Sequence, residues 1–448
     1  MKKALIFLFF VSFFLLISCE NSIEADCSQA SVNRHAFAYL KEWYLWYEHL
    51  PVINPADYES LDKMIAVVKY REGDKLIDRF SYAVKKEEHD NYYAGKRYGM
   101  GMSMMRDEDN AIYISMVYPG SPAGVAGLKR GQKLLAMNGV TVEELDENEE
   151  YNKQHRSDAD FEEKTDWNNV YNAENKGEAV VFKVLEEENE LETTVYLDDY
   201  IGLSVLAYKV LEHDGVKTGY IHFKSFITSS EEELNEVFAA FKEAEVEQLV
   251  IDLRYNGGGL VKIAKQFVNL VAGDKVKGEE IIKLIYNSKH PEQNTSYKGE
   301  MLKNSLSGIK KVAFIVSSGT ASASEMVINS LTPYTDVVLI GKTTYGKPVG
   351  MNSRDFCDQT IVPITFKYAN SQDYGDFFLG MEPDCAAGDD FKHDFGDERE
   401  EALSVALTRL SSGKCPEKAA ERRPKVRKTI EELIPFELKG MGKIDYTF

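Results

Sequence analysis

The stretch "SSGTASASEMVINSL", residues 317–331, follows directly on the apolar run "VAFIV". A strand that feeds a small-residue turn and then a helix is one way to present a nucleophile. A serine hydroxyl attacks poorly until a base removes its proton. A helix that begins at the turn supplies unsatisfied N–H groups and positive dipole character. One such donor aimed at an oxyanion is worth roughly 3 kcal/mol. By spacing alone Ser317, Ser318, Ser322 and Ser324 are all candidates. No histidine lies near them. His222 falls in a strand pattern, His290 in a polar loop and His393 near the C-terminal end, all ordinary structural or solvated settings. A lysine can act as base where apolar burial lowers its pKa. "TTYGKPVG" offers Lys347 beside Gly346, in a loop after the buried strand "DVVLIG". A third loop, "DLRYNGGGL", has three glycines that let backbone N–H groups face a ligand. No Gly-Lys-Ser/Thr follows, so it is not a phosphate loop.

The elements that must position these loops alternate. "KTGYIHFKSF", "VEQLVIDLRY", "KKVAFIVS" and "DVVLIG" read as strands, separated by the helices "SEEELNEVFAAFKEAE", "LVKIAKQFVNLVAG" and "SEMVINSL". This order predicts a largely parallel sheet. Consecutive strands of such a sheet are usually neighbours, so the loops at their C-terminal ends can meet. Ahead of this core, residues 31 to about 90 read as a small helical unit whose aromatic stripe, Trp43, Tyr44, Trp46 and Tyr47, suits docking on a neighbour. From about 92 to 200 the period shifts to two, giving short strands. The acidic stretch between Val142 and Ala179 reads as a surface excursion with some helix.

The chain begins "MKKALIFLFFVSFFLLISCE": two lysines, an apolar run and small residues up to Cys19. That is a secretory signal, and the run is short for a membrane span. "LISC" resembles the lipobox of bacterial lipoproteins, which makes Cys19 the expected lipidated residue. The protein is then expected to be lipid-anchored in the bacterial cell envelope. The 448 residues carry a formal net charge of −20, which argues against nucleic acid as a partner. Cys27, Cys357, Cys385 and Cys415 fit no zinc spacing. Outside the cytoplasm they can pair; the pattern favours Cys357–Cys385, with free thiols as the alternative. "DEDN" at 107–110 and "GDD" at 388–390 read as solvated turns. No metal or organic cofactor is expected.

Taken in order, "DLRYNGGGL", "SSGTASASEMV" and "GKTTYGKPVG" resemble the tail-specific, or C-terminal-processing, serine peptidases, which use a Ser–Lys dyad on a crotonase/Clp-protease-like α/β core. The resemblance makes Ser322 the nucleophile and Lys347 the general base. It makes the N–H groups of Ala323 and Gly258 the oxyanion donors. Many relatives have Gln four residues after the lysine, where this chain has Met351. Some have Asp where it has Pro333. "YGMGMSMM" and "VYPGSPAGVAGLKRGQKLLAMNGVTV" resemble a PDZ domain, with Gly99, Met100, Gly101 and Met102 as the loop that takes a peptide C-terminus.

The expected architecture is multidomain, α+β and α/β: signal peptide 1–18, lipidated tether 19–30, helical N-terminal domain 31–90, PDZ domain 91–200, protease core 201–411 and C-terminal tail 412–448. The expected function is a serine endopeptidase acting on polypeptides, met through their C-termini. Two alternatives remain at this level: a catalytically inactive PDZ lipoprotein that binds peptide tails as a scaffold, and thioester hydrolysis on a crotonase-like core. Oligomeric state is not indicated.

Overall fold

The computed structural model describes residues 26–107, 109–156, 162–417 and 419. Its centre is a six-stranded sheet in the order Val205–His213, Val216–Phe223, Gln248–Asp252, Lys311–Val316, Asp336–Gly341 and Cys385–Ala386. The first pair is antiparallel and every later pair is parallel. Alternation along the strands explains why the sheet is covered on both faces. Leu249, Ile251, Val312, Phe314 and Leu339 point into one core, which they share with helices Ser230–Glu243, Val261–Val276 and Ala323–Leu331. Val250, Ala313, Ile315, Val338 and Ile340 point the other way, against helix Glu401–Ser412.

A second sheet runs Asn189–Tyr196, Ala179–Glu186, Lys133–Met137, Ile112–Val117 and Met102–Arg106. Met102–Arg106 ends that order, so among the described residues its outer edge pairs with no strand. The acidic stretch is only partly a surface excursion. Val142–His155 is a helix closed at its start by a capping box of Thr141 and Glu144. Beyond it, Trp167, Val170 and Ala173 return into the domain's apolar core beside Met100, Met104 and Leu145. Asn152 holds the returning chain at Lys164 and Asp166.

The N-terminal unit has helices Gln29–Trp43 and Leu61–Val68. The aromatic helix stops before the stripe ends, because Tyr44 turns to extended backbone. Tyr44 is then buried, and Trp43 stacks on His290 with ring centroids 3.8 Å apart. The core of this unit is continuous with Ala321, Tyr345, Val349, Ile361 and Ile364 of the protease core. Its strand Tyr82–Lys85 pairs with Gln359–Val362.

The cysteines pair as Cys27–Cys357 and Cys385–Cys415. The expected Cys357–Cys385 bond is therefore wrong. Cys357 lies at the tip of the hairpin Arg354–Phe356/Gln359–Val362, next to the start of the first helix, while Cys385 lies in the edge strand of the central sheet. The second bond also fixes the start of the C-terminal tail to that sheet edge.

Candidate active site

Three loops at the C-terminal ends of strands Gln248–Asp252, Lys311–Val316 and Asp336–Gly341 build the site. Hydrogen bonds join the first two along their length. Ser317 Oγ donates to Arg254 O, Thr320 Oγ1 to Leu253 O at 2.8 Å, Ala321 N to Asn256 O at 3.1 Å and Ser324 Oγ to the same oxygen at 3.0 Å. Three of the four candidate serines thus have places. Ser317 and Ser324 spend their hydroxyls on backbone carbonyls. Ser322 sits at the turn itself, immediately before helix Ala323–Leu331, with φ 55° and ψ −115°.

That backbone conformation is rare for a residue with a Cβ and costs on the order of 1–3 kcal/mol. Two side chains that the motifs did not single out hold it. Glu325 is fully buried and accepts four donors: Ser322 N at 3.0 Å, Lys347 N at 2.8 Å, Gly346 N at 2.8 Å and Thr344 Oγ1 at 2.5 Å. Burial raises its carboxyl pKa, and these four donors pull the other way. One oxygen, Oε2, serves both Ser322 N and Lys347 N, so those nitrogens lie within about 6 Å of each other. On the carbonyl side, the Tyr368 hydroxyl lies 3.0 Å from both Ser322 O and Lys347 O. Glu325 and Tyr368 therefore fasten the serine turn to the lysine loop from two directions. Glu325 could have been found as the third residue of a helix capped by Ser322. Tyr368, on strand Ile364–Ala369 of another sheet, gave no signal.

Lys347 is only 1% exposed. Burial lowers its pKa to about 7, with Arg79 adding to the effect and Asp78 and Glu325 opposing it. Its Nζ lies 3.4 Å from Met351 Sδ and 5.5 Å from the centroid of the Phe80 ring. The thioether, a weak acceptor, stands where the resemblance led one to expect an amide oxygen. His222 is also fully buried, and burial lowers its pKa to about 4, so it stays neutral in the core against Phe395.

Ala323 opens its helix, and its N–H belongs to the first turn, where no partner exists within the helix. Gly258 has φ 102°, and a Cβ there would fall 2.8 Å from Ala323 N and from Ser322 Cβ. Only glycine fits this approach. Its N–H, however, donates to Asn256 Oδ1 at 2.8 Å. In this conformation Gly258 therefore gives the site close packing and no free donor.

Gly99 and Gly101 have positive φ, 123° and 74°, and connect strand Lys96–Gly99 to the sheet's edge strand. The carbonyls of this loop hold the turn that follows strand Ile112–Val117: Met100 O accepts from Ala123 N, and Gly101 O from Tyr118 N and Ser121 Oγ. Met100 is buried and Met102 packs on the same core. Cys19 lies outside the described residues.

"GDD" at 388–390 is not a solvated turn. Asp389 accepts from Arg130 Nη2 at 2.8 Å, Arg254 Nη1 at 2.9 Å and the Tyr255 hydroxyl. Burial alone would raise its pKa, but Arg254 and Arg130 hold it lowered. Arg254 is also paired with Asp252 and Glu400. This network ties Arg130, from the second sheet's domain, to the residues just ahead of the glycine loop.

Family models match three segments. Peptidase family S41 covers residues 217–387, the PDZ domain 91–157 and the peptidase S41 N-terminal domain 31–82. The carboxyl-terminal-processing protease of Picosynechococcus sp. (strain PCC 7002) is 23% identical over 73% of this chain and 72% of its own length. The protein of the same description from Synechocystis sp. (strain PCC 6803) is 23% identical over 77% and 75%. A crystal structure described as a putative S41 protease from Bacteroides fragilis superposes with a TM-score of 0.68 at 22% identity, over 84% of this chain and 97% of that one. The chain thus carries, in sequence order, an S41 N-terminal segment, a PDZ domain and a peptidase family S41 domain, and is a PDZ-containing serine-type peptidase.

Proposed function

We propose that this protein is a lipid-anchored endopeptidase of the bacterial envelope that processes polypeptides at or near their C-termini through a Ser322–Lys347 dyad. The observation that carries the dyad is the state of Lys347: an amine enclosed by protein, titrating at about 7, on a loop that shares the Glu325 carboxylate with the serine turn. Near neutral pH a large fraction of that amine is unprotonated. It takes the Ser322 proton as Oγ attacks the scissile carbonyl carbon, and the ammonium returns that proton to the leaving amine. Water then repeats the sequence on the acyl-enzyme. The carbonyl oxygen, carrying charge in the tetrahedral intermediate, is received by Ala323 N–H at the helix start. Gly258 N–H joins as second donor once it turns from Asn256.

C-terminal selection is assigned to the loop at 99–102 and the outer edge of strand Met102–Arg106, which pairs with no strand among the described residues and where a peptide can add as a further strand. The curated relatives named for carboxyl-terminal processing support this reading. Anchoring is assigned to Cys19 on the lipobox-like "LISC".

The test is hydrolysis of fluorescein-labelled casein and of a C-terminally tagged protein by residues 20–448, beside Ser322→Ala and Lys347→Ala. Turnover is expected from the wild type and from neither variant. Tail binding without turnover in all three proteins would leave the scaffold reading in its place.

A further inference from the structure

The matched N-terminal domain does more than pack behind the core: Arg79 reaches the lysine loop, and Asp78 beside it acts on the Lys347 amine through its charge. Asp78 is fully buried. Its Oδ1 accepts from Phe80 N at 3.0 Å and Ser81 N at 2.9 Å, and its Oδ2 accepts from the Tyr44 hydroxyl at 2.5 Å. Tyr44 is held in turn by Tyr70 N at 3.0 Å. Every bond of this cage comes from the N-terminal domain, so the carboxylate is fixed by that domain alone. Ser81 Oγ then accepts Ile364 N at 3.0 Å and pins the segment to the core.

Arg79 points the other way along the same segment. Its Nη2 donates to Gly346 O at 2.9 Å, Phe378 O at 3.2 Å and Tyr345 O at 3.5 Å. Its guanidinium lies over the Phe80 and Tyr345 rings, at 4.8 and 4.7 Å. It thus grips the two residues immediately before Lys347. Phe80, the next residue, forms a wall of the lysine's pocket.

We propose that Asp78 and Arg79 are positioning residues of the catalytic machinery, supplied by the N-terminal domain, which act on the Lys347 amine with opposite sign while Arg79 also clamps its loop. The inference rests on the dyad reading above. The charged groups facing Lys347 are Asp78 and Arg79 from the N-terminal segment and Glu325 from the serine helix. The Tyr345 and Tyr368 side chains pack nearby, and Lys69, at the end of helix Leu61–Val68, faces Asp78 from behind. A carboxylate favours the ammonium form and a guanidinium disfavours it. Removing each charge therefore moves the proton equilibrium in opposite directions, which a purely structural role does not do.

The experiment measures kcat/KM against pH on labelled casein with the soluble form, residues 20–448. In the wild type the acid limb has its midpoint near the lysine's value of about 7. Asp78→Asn, which retains an oxygen to accept Phe80 N and Ser81 N, is expected to move that midpoint down by roughly one unit. Arg79→Gln is expected to move it up by a similar amount, and Arg79→Lys to return it toward the wild-type position. A urea midpoint is recorded for each variant. If Asp78→Asn does not fold, the contrast between Arg79→Gln and Arg79→Lys carries the test alone. Folded variants whose midpoints stay in place, or move together, overturn the inference while Lys347→Ala remains dead. If Lys347→Ala retains turnover, the dyad reading fails, and this inference fails with it.

Discussion

Burying the Lys347 side chain costs stability, and the size of that cost follows from its titration. An unfolded chain binds the lysine proton with a pKa of 10.5, and the folded chain with one of about 7. Between those values the unfolded state holds more protons, so wild-type stability rises with pH through this window and is flat below it. Lys347→Met keeps the chain length and apolar stem and removes the titration. At 1.36 kcal/mol per unit, the variant should be more stable than wild type by about 5 kcal/mol near pH 6, about 3 near pH 8 and close to zero near pH 11. Glu325 does not lose its partners in this variant, because the donors it accepts are two backbone amides of the loop, the amide of Ser322 and the Thr344 hydroxyl. Equilibrium urea unfolding with both disulfides oxidised, at several pH values, reads the gap directly. Casein turnover by the variant should be absent. A gap that does not change with pH, or a variant less stable than wild type near pH 6, would show that the amine is not held in its neutral form by burial, and the reasoning behind the dyad would be refuted.

Four further outcomes are expected. Gly258→Ala places a Cβ 2.8 Å from Ala323 N at a φ that L-residues avoid, so kcat should fall steeply while tail binding by the PDZ domain persists, as read by fluorescence anisotropy of a labelled peptide. Glu325→Gln leaves an amide NH2 facing N–H donors, which should displace the serine turn from the lysine loop and lower kcat by about a hundredfold, with a smaller change in KM. Arg130→Ala removes one partner of a buried ion network and should lower the urea midpoint by the equivalent of about 3 kcal/mol. Cys27→Ser opens a closure 330 residues apart in sequence and should cost about 4 kcal/mol, seen as a lower melting temperature that reductant no longer shifts as far.

The three loops of the candidate site were legible because each ends a strand with an unmistakable apolar run and begins with residues that have a conformational reason to be there. The parallel order of those strands followed from their alternation with helices. Asp389 was not legible: two neighbouring aspartates look solvated until the fold brings Arg130 and Arg254, from distant segments, onto one of them. Asp78 likewise sits in a sequence, "IDRFSY", that reads as helix or strand, and its burial depends on Tyr44 arriving from the first helix. The cysteine pairing failed for the same reason. Cys357 and Cys385 look close along the chain, but the hairpin tip and the sheet edge they occupy belong to different sheets. Glu325 was hidden by its ordinary role, since a glutamate at that place in a helix is adequately explained by capping alone. Trp167 was missed because its neighbours are acidic and its own burial is a single anchor.

The Cys27–Cys357 bond sets a radius of action. With a lipid on Cys19, as proposed, only seven residues lie between the anchor and the covalent staple, a reach of at most about 28 Å for a fully extended chain. At the staple a pull on the anchor divides between the first helix, which begins at Gln29, and the hairpin that carries Cys357. Such an enzyme would patrol a thin layer above the bilayer, and its natural targets would be chains that present their ends within that layer.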